Sequence, residues 1–421
     1  MSIRILQGDC RQVLKTLPDN SVDSVVCDPP YELGFMGKSW DSTGVANDVE
    51  TWRQCLRVLK PGGHLLAFSG TRTQHRMVCS IEDAGFEIRD QIGWAFGSGF
   101  PKSLDVSKAI DKAAGAVRDC TRDGVVQRDG YGDDWDTGSS SSRPRFDNPA
   151  TDAALQWQGW GTALKPAWEP ICVARKPLHG TVAANVLKHG TGALNIDGCR
   201  VATDPSVDDP RLGGAGSWAT DKTAKNVYEG GFAGERIGSS ALGRWPANLL
   251  HDGSPEVVAL FPQSSGQQAD VRGTEASRTG GDGTNCYGEY GRVRTEKRGD
   301  SGSAARFFWC PKTSAADRHE GLQHPGVQFG AGSTLRDAER LPRKGNHHPT
   351  VKPTDLMRYL CRLVTPPGGT VLDPFMGSGS TLKAAELEGF SAIGIELDPA
   401  YIEIARRRIA ADAPLFADLE T

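Results

Sequence analysis

An α/β fold with a doubly wound, mostly parallel sheet is predicted by two observations. Short apolar, β-branched runs alternate with helical stretches over the first hundred residues and again after Pro353, and several of these stretches end on Gly- or Pro-rich turns. Taken in order, Ile3–Leu6 predicts a short strand, and Val22–Cys27 (VDSVVC) predicts a buried one that runs into Asp28-Pro29-Pro30-Tyr31. Trp52–Leu59 reads as a helix stopped by Pro61-Gly62-Gly63, His64–Ser69 as a buried strand, and Gln74–Ala84 as a helix ended by Gly85. The pattern weakens after Gly97. Residues about 115–160, which include DGYGDDWDTGSSSSRPRFDNP, read as a flexible insert. Glu169–Ala174 (EPICVA) then returns as a strand. Residues 178–345 are irregular and rich in Gly, Asn, Arg and aromatic residues, and do not read as more of the same sheet. After Pro353, Thr354-Asp355 predicts a capped helix with Leu356, Met357, Leu360, Leu363 and Val364 on one face. Thr370–Leu372 and Ala392–Leu397 predict strands on either side of a Leu382–Leu387 helix. Asp398-Pro399 opens a last helix, with Asp as cap and Pro in the first turn. The expected division of the chain is 1–177, 178–345 and 346–421.

Composition narrows the function. A chain of 421 residues fits one large or two moderate domains. Its formal charge is −4, so a nucleic-acid partner would have to be met by a local patch and not a global field. Ten cysteines include no C-x-x-C pair, which argues against a zinc ribbon or a thioredoxin-type site, and no metal is expected. Thiols spread this widely read as reduced, which together with an N-terminus lacking a signal-peptide core predicts a cytoplasmic protein. No run of about 18 apolar residues predicts a membrane span.

Two motifs carry chemistry. Asp28-Pro29-Pro30-Tyr31 follows a strand end, where ligands of open α/β sheets bind. Two prolines fix the backbone, so the Asp28 carboxylate and the Pro29 carbonyl offer two acceptors aimed at one NH2 group. Such contacts orient the nitrogen lone pair toward a methyl donor, and Tyr31 is placed to stack on the base bearing the amine. A proline-rich turn with an Asx cap is the alternative reading. The second motif is Val371–Thr381 (VLDPFMGSGST), whose glycines allow a tight strand-to-helix turn and close approach to a ligand. Glu396 lies about 20 residues on, at the end of the next strand, where an acid reaches ribose hydroxyls in dinucleotide-type folds. The turn is not G-x-G-x-x-G and has no P-loop Lys. Asp373 would repel phosphate but suits a cationic methionine moiety.

These motifs, with His348-Pro349-Thr350-Val351-Lys352-Pro353 upstream of the second, resemble those of the amino-methylating (N6-adenine/N4-cytosine) DNA methyltransferases. The catalytic motif precedes the cofactor loop, an order similar to the beta group, and segments such as TGALNIDGCRV and GRWPANLLHD look like those of phage and prophage members. The resemblance covers roughly residues 1–100, 165–177 and 346–412. It implies a seven-stranded, Rossmann-like methyltransferase sheet in circularly permuted order, with the first strand beside the last one, and target recognition by 178–345. It implies S-adenosylmethionine as cofactor. On this resemblance Asp373, Phe375, Gly377, Gly379, Ser380 and Thr381 form the cofactor loop, Glu396 takes the ribose hydroxyls with Asp398 following, and Asp9, beside Cys10, lies near the adenine ring. Thr350 and Lys352 close the methionine end, next to Asp28. The implied reaction is direct in-line displacement on a flipped-out base stacked on Tyr31. Asp28 leans toward adenine N6, with cytosine N4 as the alternative; an RNA methyltransferase and a non-catalytic DNA-binding relic are the further alternatives. C5-cytosine chemistry needs a nucleophilic Cys in a Pro-Cys context, and Cys310-Pro311 is reversed.

The implied partner is double-stranded DNA. A homodimer and a companion restriction endonuclease stay open. Between Pro262 and Lys344 stand 13 Lys and Arg against 10 Asp and Glu. That local excess makes Arg292, Arg294, Lys297, Arg298, Arg343 and Lys344 the expected phosphate contacts, the alternative being a solvated face. Trp245, Phe308 and Trp309 are expected to pack in a small core of that region.

Overall fold

The structure, a computed structural model, describes residues 2–34, 39–99, 103–119, 148–201, 244–265, 301–310, 315–322, 345–348, 350–412 and 419–420. The strands are β1 (Ile3–Gln7), β2 (Val22–Cys27), β3 (Leu59–Phe68), β4 (Glu87–Ala95), β5 (Trp168–Arg175), β6 (Leu249–His251), β7 (Gln263–Ser265), β8 (Ser301–Ser303), β9 (Thr370–Asp373), β10 (Ser391–Glu396) and β11 (Leu419–Glu420). Nine of them form one sheet in the order β11-β1-β10-β9-β2-β3-β5-β4-β6, and β7 and β8 form a separate two-stranded ribbon. Only β5 runs against its neighbours in the large sheet. The α/β, doubly wound and mostly parallel expectation therefore holds, with two short edge strands, β6 and β11, beyond seven.

The permuted order is visible in the pairing. β1 lies parallel to β10 with Ile3 opposite Ala392 and Gln7 opposite Glu396. Side chains alternate between two cores, as strand geometry requires. Leu65 and Ala67 of β3 face one core with Trp52, Cys55 and Met77, and Leu66 and Phe68 face the other with Leu356, Leu360 and Leu382. The helix Val49–Val58 supplies Trp52, whose indole Nε1 donates to the Ala46 carbonyl at 2.8 Å and whose ring meets Phe375 edge-on at 6.0 Å.

Two local expectations are corrected, and one strand is not read from the sequence. The strand β3 begins at Leu59 and runs through Pro61-Gly62-Gly63, because these backbone groups find partners: Gly62 N donates to the Lys176 carbonyl and Lys176 N to the Gly63 carbonyl. The strand β4 escapes sequence reading because its centre, Arg89-Asp90-Gln91, is exposed and charged. The helix Thr354–Val364 is not capped by its own Thr354. Asp317, from the short helix Ala315–His319, accepts hydrogen bonds from Thr354 N at 2.8 Å and Thr354 Oγ1 at 2.5 Å, supplying the cap from a distant segment.

The chain groups into two units, Met1–Gly97 with Trp168–Thr421, and Ser98–Ala167. Within 178–345, Leu249–His251 joins the large sheet beside β4, and the Trp309 ring stacks on Tyr359 at 5.0 Å. Phe308 lies 5.3 Å from Phe261, whereas Trp245 is 64% exposed. The smaller unit is organised around Asp111, which accepts hydrogen bonds from Ala150 N, Thr151 N and Thr151 Oγ1 and pairs with Arg118 at 2.7 Å. Most of the expected flexible insert lies outside the described residues, as do Arg292, Arg294, Lys297, Arg298, Arg343 and Lys344. Among the described residues, no helix is long and apolar enough to cross a membrane.

Candidate active site

Four neighbouring parallel strands each deliver one carboxylate at or just past their carboxyl ends. These are Asp9 after β1, Glu396 closing β10, Asp373 closing β9 and Asp28 after β2. All four line one cavity of about 600 Å³, together with Pro29, Pro30, Tyr31, Cys10, Thr350, Lys352, Phe375, Gly377, Ser380, Thr381 and Asp398. Of the residues expected at the site, Gly379 alone does not line the cavity. It instead begins the helix Ser380–Leu387 behind it.

The Gly-rich turn is held from both sides. Gly377 and Gly379 have φ of +53° and +81°, values that side-chain-bearing residues avoid. A Cβ on Gly379 would stand 2.8 Å from Ala405 Cβ, and one on Gly377 would stand 2.7 Å from His348 Nε2. Asp373 braces the turn from within: Phe375 N donates to its Oδ1 at 2.9 Å and Thr381 Oγ1 to its Oδ2 at 2.5 Å. Burial drives the Asp373 carboxyl up to about 7, against the pull of those two hydrogen bonds. Arg408, fully buried on the last helix, donates to the Ser378 carbonyl at 2.7 Å and to Ser380 Oγ at 3.1 Å.

Glu396 receives Gly377 N on one oxygen and Asp398 N on the other, both at 2.8 Å. Its carboxylate is thus fixed in direction while each oxygen keeps a free lone pair. Burial raises its pKa, and the backbone donors oppose that rise. Asp9 caps the short helix Cys10–Val13 through Arg11 N and is gripped by the Arg11 side chain, which lowers its pKa. Asp398 caps the last helix through Ala400 N, as expected. The Cys10 thiol is pushed up to about 12 by burial, so it is neutral in this setting. Thr350 is exposed, and its carbonyl lies 2.9 Å from His348 Nδ1.

Lys352 stands beside Asp28 as expected, and brings with it Glu169, a carboxylate that the sequence reading did not single out. Lys352 is buried. Its Nζ donates to Tyr31 OH at 3.0 Å and forms ion pairs with Asp28 Oδ2 at 3.1 Å and Glu169 Oε2 at 3.0 Å. It also lies over the rings of Tyr31 and Phe68 at 5.3 and 4.8 Å. Burial pulls the Lys352 pKa down, but Asp28 and Glu169 outweigh it and hold the ammonium above its ordinary value. Burial, then the same two carboxylates, drive the Tyr31 hydroxyl far up, so it stays a phenol. Asp28 Oδ1 is buried and accepts no hydrogen bond among the described residues. Glu169 carries no motif; its one signal is a carboxylate opening an apolar strand.

The residues fit S-adenosylmethionine. A cavity walled by four carboxylates favours a cation over a phosphate, and its volume suits a nucleoside-sized ligand. The glycine turn permits close backbone approach, and the fixed Glu396 carboxylate matches two vicinal hydroxyls.

Comparison with known proteins agrees. A family model described as DNA methylase, of the N6/N4 type, matches residues 22–117 and 237–407. The type II methyltransferase M2.DpnII of Streptococcus pneumoniae is 29% identical over 116 residues, 26% of this chain and 43% of that protein. M.HindIII of Haemophilus influenzae is 27% identical over 151 residues, 35% of this chain and 38% of the relative, and M.BglI of Bacillus subtilis is 35% identical over 105 residues, 24% and 29%. The chain thus spans less than half the length of each of these relatives. Among solved structures, a DNA modification methylase from Thermus thermophilus aligns over 100% of both chains with 16% identity and a TM-score of 0.41. The family match covers well over half of the sequence and takes in both motif regions, so the chain belongs to the N6/N4-type DNA methylases, whose cofactor is S-adenosylmethionine.

Proposed function

We propose that the protein transfers a methyl group from S-adenosylmethionine to the exocyclic amino group of a flipped-out base in double-stranded DNA, with adenine N6 favoured over cytosine N4. The observation that carries this reading is Asp28 Oδ1, a buried acceptor without a donor at the rim of the acid-walled cavity. A buried carboxylate oxygen left unpaired is costly, and an incoming amino hydrogen would satisfy it.

The bound cofactor would supply an electrophilic methyl carried on a sulfonium. Glu396 would hold its ribose hydroxyls, the Gly377–Thr381 turn its flank, and Asp373 the cationic end. Asp28 Oδ1 and the Pro29 carbonyl accept the two amino hydrogens and so turn the nitrogen lone pair toward the methyl carbon. The Tyr31 ring provides a face for the base. As the nitrogen–carbon bond forms, the nitrogen gains positive charge and must lose a proton, and Asp28 is the group placed to take it. Positioning supplies most of the rate, since no enzyme-bound covalent intermediate is needed. Target recognition is assigned to 178–345. Adenine is favoured because Asp stands first in the motif, where Ser would favour cytosine.

The direct test supplies tritiated S-adenosylmethionine with unmethylated duplex DNA, RNA and protein side by side, followed by sequencing that reads methylated bases. Label in N6-methyladenine is expected. Label in N4-methylcytosine would move the assignment to the alternative base, and label in RNA or protein alone would overturn it.

Cofactor affinity should also depend on pH. A cation favours the ionised form of Asp373, whose carboxyl sits up at about 7. Binding should therefore tighten as pH rises from about 6 to about 7.5, with proton release at the lower end. In the ligand-free protein the contribution of Asp373 to stability has the opposite sign: a carboxyl raised by burial opposes ionisation in the folded state, so that contribution falls from about pH 4 to about pH 7 and then levels, while the buried His64 and His348, lowered to about 4, contribute a rise over part of the same range. Calorimetry at several pH values checks this, and flat affinity across that window would tell against Asp373 as the partner of the cation.

A further inference from the structure

Two carboxylates share one ammonium beside the catalytic motif. Lys352 Nζ stands 3.1 Å from Asp28 Oδ2 and 3.0 Å from Glu169 Oε2, in a buried setting closed by the Tyr31 and Phe68 rings. The three groups sum to one net negative charge. Glu169 does not line the cavity, whereas Asp28, Tyr31 and Lys352 do. It reaches the site through Lys352 and the Tyr31 hydroxyl, from the start of the reversed strand β5. The Glu169 oxygen near Lys352 is buried, and the two charges stand 3.0 Å apart.

The charge count matters because the target nitrogen becomes positive as the methyl arrives. Charges act strongly where water is excluded. A lone Lys352–Asp28 pair would be neutral, and the ammonium would compete with the amine for the carboxylate. A second carboxylate removes that competition. We propose that Glu169 is a positioning residue for methyl transfer, taking up the charge of Lys352 so that Asp28 keeps its negative charge for the amine. This rests on the transfer reaction proposed above. Lys352 in turn fixes Asp28 Oδ2, which leaves Oδ1 as the free acceptor.

Charge balance separates this role from simple packing. Glu169→Gln preserves shape and makes the cluster neutral. Its kcat should fall at least about tenfold with S-adenosylmethionine affinity unchanged. The double variant Glu169→Gln/Lys352→Met restores one net negative charge through Asp28 alone. Its kcat should rise severalfold above that of Glu169→Gln, although it carries one more substitution. Glu169→Asp should retain more activity than Glu169→Gln. A double variant no faster than Glu169→Gln, or a Glu169→Gln enzyme with wild-type kcat, would overturn the proposal.

A second measurement does not need turnover. The ionisable groups acting with the Lys352 ammonium are Asp28 after β2, Tyr31 in the next loop, Glu169 on β5 and His348 in its own segment. In protein with nitrogen-15-labelled lysine side chains, Lys352 should lose its proton at lower pH in Glu169→Gln than in wild type, and an unchanged midpoint would count against the proposal. If wild type methylates nothing, the transfer reading fails, and the Lys352 titration still decides whether Glu169 carries its charge.

Discussion

Asp28→Ala is expected to lower kcat for methyl transfer by roughly 10³-fold or more while leaving S-adenosylmethionine binding within a few fold of wild type. The loss combines two effects: the acceptor that orients the amine disappears, and so does the group that takes its proton. The fold should survive, because Lys352 keeps Glu169 and Tyr31 as partners and Asp28 itself is only partly buried. Asp28→Asn makes the comparison sharper. It keeps one oxygen acceptor but no proton sink, so it should retain more activity than Ala and less than wild type. Single-turnover transfer from tritiated cofactor, with binding measured separately by calorimetry, distinguishes the steps. Wild-type turnover by Asp28→Ala would remove Asp28 from the chemistry.

Asp317→Ala is expected to destabilise the larger unit by about 3–5 kcal/mol, read as a lower urea midpoint. Asp317 caps the helix Thr354–Val364 and lies 3.2 Å from Lys383 Nζ and 3.5 Å from an Arg408 guanidinium nitrogen. Lys383 is 2% exposed and Arg408 0%. Truncation leaves Glu320 as the carboxylate beside Lys383, removes the carboxylate beside the fully buried Arg408 and leaves the first turn of a helix uncapped. Burial alone would raise the Asp317 carboxyl, but the Thr354 donors and then the two cations outweigh it and hold its pKa low. A depressed carboxyl contributes stability above its ordinary range that is lost as pH falls through the depressed value. A midpoint for Asp317→Ala equal to wild type would show that Glu320 and the Ser378 carbonyl suffice for Lys383 and Arg408.

The sequence made legible those elements whose local pattern coincides with their tertiary setting. The strands before Asp28 and Glu396 are buried on both faces and read as continuous apolar runs, and the glycine turn reads from its composition. The strand β4 was hidden because antiparallel pairing with β5 leaves Arg89, Asp90 and Gln91 in solvent. The cap on Thr354 and the charge on Lys352 were hidden for a different reason. Each depends on a carboxylate far away in the chain, Asp317 and Glu169, and no spacing rule links such pairs. Lys352 was expected beside Asp28 from the resemblance, but its pairing with Glu169 had no local signal. The cofactor loop was legible position by position, but the role of Arg408 behind it was not, since an Arg in a charged last helix has nothing local to set it apart.

The order β1-β10-β9-β2 has a kinetic consequence. The middle of the sheet pairs residues from opposite ends of the chain: Ser24 sits opposite Val371, and Thr370 N donates to Asp23 Oδ2 across 347 residues. A ribosome finishes Asp28 long before it begins Asp373. Until the last fifty or so residues emerge, β2 is an apolar strand with a bare edge, open to wrong partners. Long-range closure of this kind slows folding. A chain ending before β9 would carry the whole Asp28-Pro29-Pro30-Tyr31 motif and yet have no wall on which to build the cavity. Refolding from denaturant should accordingly be slow and prone to aggregation, and cofactor should protect only the finished chain.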